Sequence, residues 1–184
     1  MIVLIAYATT EGQTRKIARF CADRLIAQGH SVELLPLVDM ADDDLVDMSR
    51  FDAAILAGSV HGGRLQPQLA RFAARHAGPL QARPSLFVIV SLAAAGNDPD
   101  EHADLARNAA EFAENTGWTP AEVVQVAGAF RFTQYDFFKG LAMRWIAHSK
   151  GESVTPHTDK EYTDWDALAA LMQRWPETKN PATA

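Results

Sequence analysis

Residues 8–14 read Ala8-Thr9-Thr10-Glu11-Gly12-Gln13-Thr14, and this short stretch decides the fold. It follows an apolar run at residues 2–7 that is typical of a buried parallel strand. It precedes a helical pattern whose apolar residues recur on one side. A turn rich in hydroxyls and glycine at this place directs N–H and O–H groups at the positive end of the helix dipole, which suits a phosphate group. The alternative is that Thr9 or Thr10 merely caps the helix.

The composition indicates one globular domain. The chain has 184 residues, of which 48% are hydrophobic, which is enough for one buried core and short for two. We expect residues 1–175 to form a single domain and residues 176–184, rich in Pro, Thr and Ala, to form a flexible tail. A net charge of −6 and an isoelectric point near 5.4 argue against nucleic-acid binding.

The sequence also predicts a cytoplasmic location. It has no stretch of eighteen apolar residues that would span a membrane, and its first residues lack the basic flank of a signal peptide. The single cysteine, Cys21, permits no internal disulfide, which fits a reducing compartment. Because Cys21 falls on the apolar side of the first helical pattern, we expect a buried and inert thiol. The sequence carries no signal for an oligomeric state.

Apolar runs of strand length alternate with helical patterns along the chain. The predicted strands lie near residues 2–7, 31–37, 53–57, 85–91 and 123–129. The predicted helices lie near residues 13–28, 66–76, 102–115, 136–149 and 164–174, with a weaker one near 42–48. This alternation predicts a doubly wound α/β fold, in which a five-stranded parallel sheet has helices on both faces.

Two strand orders are open to a doubly wound sheet of this kind. The dinucleotide-binding order expects G-x-G-x-x-G after the first strand, whereas this chain has Gly12 alone among threonines. A Walker loop is excluded as well, since no Gly-Lys-Ser/Thr follows Gly12. The hydroxyl-rich loop suits a single phosphate monoester instead. It favours the flavodoxin-like order 2-1-3-4-5, whose ligand is FMN at the point where the strand order reverses.

The flavodoxin-like order requires that the loops after strands three and four also face the ligand. Both loops are rich in glycine, serine and alanine, and are small enough to admit a planar ring. We expect ring contacts from the third-strand loop at Ser59, Val60, His61, Gly62 and Gly63, and from the fourth-strand loop at Ser91, Leu92 and Ala93. The histidines occur without the spacing of a metal site, so no metal is expected.

Three motifs extend the likeness beyond the first loop. Residues 9–18 read T-T-E-G-Q-T-R-K-I-A, residues 127–132 read A-G-A-F-R-F, and residues 161–165 read E-Y-T-D-W. In these motifs, their order and their separations, the chain resembles the flavodoxin-like proteins, and within them the menaquinone-dependent protoporphyrinogen IX dehydrogenases. The likeness covers almost the whole chain. The two later motifs are more specific than the phosphate loop, which general flavodoxins share.

The resemblance implies non-covalently bound FMN and the oxidation of protoporphyrinogen IX to protoporphyrin IX, with a quinone as electron acceptor. It assigns the phosphate to hydroxyl and amide donors, without a Lys or Arg, at Thr9, Thr10, Glu11, Gly12, Gln13 and Thr14. Because the flavin carries the chemistry, no catalytic side chain is expected, and His61 only flanks the ring. Arg64 and Arg131 are the candidates for binding substrate carboxylates bidentately. The aromatic and basic helix at 136–149 implies peripheral contact with the inner face of the cell membrane.

Two loops depart from the pattern of that family. Gly62 stands where an aromatic residue is expected, and the fourth-strand loop at residues 93–98 is neutral to acidic where that of the family is basic. Together with the net negative charge, this acidity favours an alternative, a flavodoxin-type FMN electron carrier that has no substrate of its own. The aromatic helix and the E-Y-T-D-W motif favour the enzyme. A flavin reductase that uses nicotinamide would need a second cofactor signature, which the sequence lacks.

Overall fold

A five-stranded parallel sheet forms the centre of the computed structural model, which describes residues 1–41, 44–96, 98–130 and 160–177. The strands are β1 (Ile2–Tyr7), β2 (Ser31–Pro36), β3 (Ala53–Ser59), β4 (Ser85–Ser91) and β5 (Glu122–Ala127). They are arranged β2-β1-β3-β4-β5, which confirms the predicted order 2-1-3-4-5. The strand order reverses between β1 and β3, and sheets of this kind bind ligands at that point.

The register of the sheet brings the ends of its central strands to one edge. Tyr7 of β1 pairs with Ala57 of β3, and Ser59 at the end of β3 pairs with Val90 of β4. Ser91, the last residue of β4, pairs with Ala127, the last residue of β5. The loops that follow these parallel strands therefore leave from the same edge.

Helices cover both faces of the sheet, as predicted. They are α1 (Gln13–Ala27), α2 (Pro67–Arg75), α3 (Ala77–Gln81), α4 (Pro99–Thr116) and α5 (Trp165–Arg174). Helices α1 and α5 share one buried core with the side chains of Val3 and Ile5. Helices α2 and α4 share the other core with Leu4 and Leu56, because neighbouring residues of a strand point to opposite faces.

The first helix shows why these residues form a buried helical face. Ile17, Cys21 and Leu25 recur every four residues and are at most 1% exposed. The prediction of a buried thiol is therefore confirmed. Burial raises the pKa of Cys21 to about 12, so the thiol stays protonated and unreactive at neutral pH.

The fifth strand ends earlier than the sequence predicts. The predicted strand at 123–129 is interrupted at Gly128, after which a short strand β6 (Ala129–Phe130) pairs antiparallel with β7 (Lys160–Glu161). The N–H of Gly128 donates to the carbonyl of Ser91 at 2.9 Å, while its own carbonyl accepts from Tyr162 N–H at 3.0 Å. Beyond Ala127 the chain thus pairs with the segment that contains β7 and does not continue the fifth strand.

The weak helix predicted near residues 42–48 is wrong for its described part. Asp44 to Asp47 form no helix, and a 3₁₀ turn follows at Met48–Arg50. The Asp44 carboxylate accepts from Ala41 N–H at 2.8 Å, and that of Asp47 accepts from Ser49 N–H at 3.0 Å. Such local side-chain bonds offer the backbone an alternative to the helix.

Some predictions fall on other parts of the chain. The predicted helix at 136–149, the substrate candidate Arg131 and residues 178–184 lie outside the described residues. Pro176 and Glu177 belong to a 3₁₀ turn, Trp175–Glu177, that follows α5.

Candidate functional site

The candidate site lies at the edge of the sheet where β1, β3 and β4 end. These three strands are neighbours, so their following loops are brought side by side. These loops, with the strand ends before them and the first turn of α1, contain all the residues that the sequence analysis assigned to cofactor binding, and the substrate candidate Arg64. Two inter-strand bonds join the loop backbones: Ala8 N–H donates to Ala57 O, and Val60 N–H donates to Val90 O, both at 2.9 Å.

The loop after β1 makes a tight turn at Gly12. Its φ of 91° is a left-handed conformation that glycine adopts without steric cost. The Gly12 N–H donates to Thr9 Oγ1 at 2.9 Å, so the Thr9 hydroxyl retains its own proton for a ligand. The first bond of α1 runs from Lys16 N–H to Gly12 O at 3.1 Å. The three preceding amides therefore project from the start of the helix, where anions bind.

Thr14 adds an unsatisfied hydroxyl to this turn. Its side chain is 1% exposed, and Oγ1 has no hydrogen-bond partner among the described residues. A buried hydroxyl without a partner is uncommon, because its desolvation then goes uncompensated. A ligand oxygen at this turn would supply the missing acceptor.

Gln13 faces away from the turn and joins a polar network with Lys16, Glu161 and Thr163, which we call the Gln13 network. Gln13 Nε2 donates to Thr163 Oγ1 at 2.9 Å and to Glu161 Oε1 at 3.2 Å. Thr163 Oγ1 in turn donates to the carbonyl of Ala127 at 2.7 Å. The hydroxyl of Thr163 can then only accept from Gln13, which fixes the orientation of the amide. The Gln13 side-chain amide N–H groups are thus directed at the E-Y-T-D-W motif.

A cation completes the Gln13 network. Lys16 Nζ lies 2.6 Å from Glu161 Oε2 and 5.0 Å from the ring centre of Trp165. Partial burial raises the pKa of Glu161, but hydrogen bonds from Lys16 and Gln13 outweigh it and hold that pKa below its ordinary value. Glu161 is therefore ionised at neutral pH. The network joins the start of α1, the end of β5 and the segment before α5.

The loop after β3 is tied to the loop after β1 by Gln66. Its Oε1 accepts from Ser59 N–H at 3.1 Å, and its Nε2 lies 2.5 Å from Ser59 Oγ and 3.3 Å from Thr10 Oγ1. The sequence analysis missed this residue, because a glutamine just before Pro67 has no distinctive signal. Gln66 holds two of the predicted site residues, Thr10 and Ser59, next to each other.

The same loop contains a turn whose two central residues have no side chains. His61 N–H donates to Arg64 O at 2.8 Å, and Arg64 N–H donates to His61 O at 3.1 Å. Gly62 and Gly63 between them have φ of 56° and 77°, the paired positive values of a type I′ turn. Apart from the glycine itself and its two chain neighbours, no atom lies within 4 Å of a Cβ built at either position, so the turn is open. His61 Nε2 lies 3.1 Å from Ser59 Oγ, and the Arg64 side chain is exposed.

The loop after β4 closes the other side of the site. Ser91 is 7% exposed, and its Oγ accepts from Ala94 N–H at 3.1 Å, which starts a 3₁₀ turn at Ala93–Ala95. His102, on α4, donates through Nε2 to the carbonyl of Gly96 at 2.8 Å and so fixes the end of the loop. Leu92 and Ala93 are half-buried. Small and partly buried residues thus border this side, as a planar ligand would require.

Comparison with known families identifies this arrangement of sheet and loops. Residues 4–156 match the family described as Flavodoxin domain (Flavodoxin_5). The chain belongs to this flavodoxin-domain family. Within the described part of this flavodoxin domain, no group of three or more His, Cys, Asp and Glu residues could hold a metal ion. No helix in those same ranges has both the length and the apolar character needed to cross a membrane.

The flavodoxin domain has curated relatives and solved structural neighbours. It is 26% identical over 170 residues to the protoporphyrinogen IX dehydrogenase (quinone) of Escherichia coli strain K12, covering 92% of this chain and 91% of the relative. It is 27% identical over 165 residues to a protein of the same name from Leishmania major, covering 90% of this chain and 70% of the relative. Oxidised flavodoxin 2 from Bacillus cereus has a TM-score of 0.58 and 16% identity, over 96% of this chain and 99% of that one. This last likeness shows the shared fold.

Proposed function

We propose that this chain is an oxidoreductase that binds FMN non-covalently and oxidises protoporphyrinogen IX to protoporphyrin IX, with a quinone as acceptor. The observation that carries the proposal is the likeness, over at least 90% of this chain, to relatives named for this activity in two distant organisms. The likeness covers 92% of this chain and 91% of the Escherichia coli relative, so it is not confined to one part of the domain. The proposal treats residues 1–175 as one functional unit.

The turn after β1 fits the phosphate of FMN. The hydroxyl proton of Thr9, the buried Oγ1 of Thr14 and the free amides at the start of α1 are all donors. Donors of this kind form charge-assisted bonds with a phosphate dianion. Gln13 would contribute its backbone amide only, because its side chain serves the Gln13 network. Thr10, Glu11 and Gly12 complete the proposed phosphate site.

The loops after β3 and β4 fit the ring system. The open turn at Gly62 and Gly63 lets backbone groups approach a planar ligand, while Ser59, Val60, His61, Ser91, Leu92 and Ala93 border it. When bound, FMN supplies the two-electron redox chemistry, and the protein supplies position and electrostatics. Arg64 is exposed beside the turn and is proposed to bind a substrate carboxylate, together with Arg131.

A second candidate function is supported by acidic residues next to the loop after β4. Asp98 caps α4 by accepting from Asp100 N–H at 2.9 Å, and Glu101 lies in the first turn of the same helix. Acidic groups at this place suit the docking of a basic redox partner and disfavour an anionic substrate. They favour a flavodoxin-type electron carrier.

One anaerobic experiment separates the two functions. The purified chain is reconstituted with FMN and mixed with protoporphyrinogen IX, and the flavin absorbance is followed. If the chain is the enzyme, the porphyrinogen should bleach the flavin absorbance and protoporphyrin fluorescence should appear. The flavin spectrum should recover when a menaquinone analogue is added. Bleaching only by a reductase protein, with no porphyrin formed, would establish the carrier instead.

The substrate role of Arg64 is tested in the same assay. Arg64→Gln should raise the KM for porphyrinogen about tenfold and leave kcat nearly unchanged, because a carboxylate contact remote from the reacting atoms contributes uniform binding. Arg64→Lys keeps the positive charge but cannot donate two parallel hydrogen bonds to a carboxylate. Its KM should lie between those of the original protein and Arg64→Gln. An unchanged KM in Arg64→Gln would remove this residue from the proposal.

A further inference from the structure

The first turn of α1 contains two consecutive cations with different surroundings. Lys16 is neutralised by Glu161 at 2.6 Å and lies against the ring of Trp165. Arg15 is exposed and takes part in no hydrogen bond or ion pair within the described ranges of the chain. Lys16 is therefore committed to the Gln13 network, whereas the charge of Arg15 is available.

The guanidinium of Arg15 is folded back over the turn after β1. A Cβ built at Gly12 would lie 3.6 Å from Arg15 Nη2, the nearest atom outside Gly12 and its two chain neighbours. Gly12 is the residue at which the turn enters the helix, so the guanidinium lies against the same turn as the free amides. No acidic side chain in the described ranges forms an ion pair with Arg15, so no such pair accounts for this position of the guanidinium.

Thr14 provides an independent indication of an anion at this turn. Its hydroxyl is buried and lacks an acceptor among the described residues. A phosphate oxygen would satisfy a hydroxyl donor and a guanidinium at once, since both donate and neither competes for the same proton. The orphaned donor and the available cation occupy adjacent residues of one helical turn.

We propose that Arg15 is a cofactor-binding residue that covers the phosphate monoester from the solvent side of the turn. This inference rests on the proposed function, because it assumes that FMN is the ligand. It revises the expectation that hydroxyl and amide donors hold the dianion without a cation. A guanidinium presents parallel N–H groups that match two phosphate oxygens. Arg15 then favours flavin that carries a phosphate over flavin that lacks one.

The test compares FMN with riboflavin, which has the same ring and ribityl chain but no phosphate. The full chain, freed of flavin, is titrated with each ligand and binding is followed by quenching of flavin fluorescence. Arg15→Gln should raise the Kd for FMN about tenfold and leave the Kd for riboflavin unchanged. The matched control is Arg19→Gln, which removes the same charge from an exposed site one turn further along α1. It should leave both constants within about twofold of the original protein.

Ionic strength supplies a second readout. The ratio of FMN affinities between the original protein and Arg15→Gln should shrink as salt is raised, because the guanidinium–phosphate attraction is screened. Equal FMN affinity in the original protein, Arg15→Gln and Arg19→Gln would overturn the role of Arg15 while leaving FMN binding intact. Equal losses for FMN and riboflavin in Arg15→Gln would overturn it as well, since they indicate a structural effect. Failure of the original protein to bind FMN would overturn the proposed function itself.

Discussion

Gly12 has the backbone conformation on which the turn after β1 depends. Its φ of 91° is strained for any side chain, and a β-branched residue there would also approach Arg15. We expect Gly12→Val to abolish FMN binding, measured by fluorescence quenching and by the colour of the purified protein. The matched control is Gly29→Val, because Gly29 has a similar φ of 85° at the far end of α1. Both variants lose stability, but only Gly29→Val should retain the flavin. A yellow Gly12→Val protein of normal affinity would contradict the phosphate site.

Replacement of the Thr14 hydroxyl should stabilise the flavin-free protein but weaken FMN binding. Thr14→Val removes a buried hydroxyl without a partner, so the free energy of unfolding of the flavin-free protein should rise by about 1 kcal/mol. The same change removes a phosphate donor and should weaken FMN binding. Urea denaturation and flavin titration measure the two effects.

Thr116 is the control for that substitution. It is also buried, at 6% exposure against 1% for Thr14, but its hydroxyl donates to Phe112 O at 2.7 Å. Thr116→Val should therefore destabilise the protein and leave the FMN affinity unchanged. If Thr14→Val destabilised the flavin-free protein as Thr116→Val does, the Thr14 hydroxyl would have a partner in the absence of ligand.

Among the elements, α1, β5 and the segment before α5 are joined in part by the hydroxyl of Thr163. Thr163 accepts from Gln13 and donates to Ala127, so Thr163→Val removes both hydrogen bonds and leaves Gln13 Nε2 with only its 3.2 Å bond to Glu161. We expect a loss of about 2 kcal/mol in the free energy of unfolding, measured by urea denaturation. Thr163→Ser keeps the hydroxyl and should recover most of the loss. An unchanged unfolding midpoint in Thr163→Val would show that the Gln13 network is not structural.

The strands and most helices could be predicted because their signals are local. Apolar runs such as residues 85–91 and the four-residue recurrence of Ile17, Cys21 and Leu25 are visible without partners. The end of β5 could not be predicted, because it depends on Gly128 pairing with Tyr162, far along the chain. The weak helix near 42–48 fails for a related reason. There the aspartates bond to local amides in a way that periodicity does not report.

The candidate site likewise contains residues that could be predicted from the sequence and residues that could not. The loops after β1, β3 and β4 follow from strand order and turn chemistry, so their residues could be proposed from the sequence. Gln66 and Thr163 could not, because each acts through side-chain bonds between segments that are distant in sequence. The orientation of Gln13 away from the turn also required the structure.

At the scale of the whole molecule, His76 makes stability depend on pH. It is 6% exposed, its ring lies 4.6 Å from that of Phe72, and Nε2 has no partner among the described residues. Burial, with a smaller contribution from the charge of Arg75, lowers the pKa of His76 below its ordinary value. The unfolded chain therefore takes up this proton at a higher pH than the folded one.

This contribution to stability is complete above about pH 6.5 and is lost as the pH falls from there through the folded-state pKa. The slope is at most about 1.4 kcal/mol per pH unit, the limit for one proton. We expect His76→Phe to flatten the curve of unfolding free energy against pH in that window, measured by urea denaturation at each pH. Parallel curves for the two proteins would show that His76 titrates alike in both states.

The single thiol of this chain gives the intact protein a reporter of its own opening. Cys21 is enclosed between α1 and the sheet, and a thiol reagent in the solvent finds no other cysteine to attack. Such a reagent can react with Cys21 only after α1 separates from the sheet. The rate of modification under native conditions therefore measures how often this part of the core opens. A ligand bound tightly at the N-terminus of α1 should lower that rate.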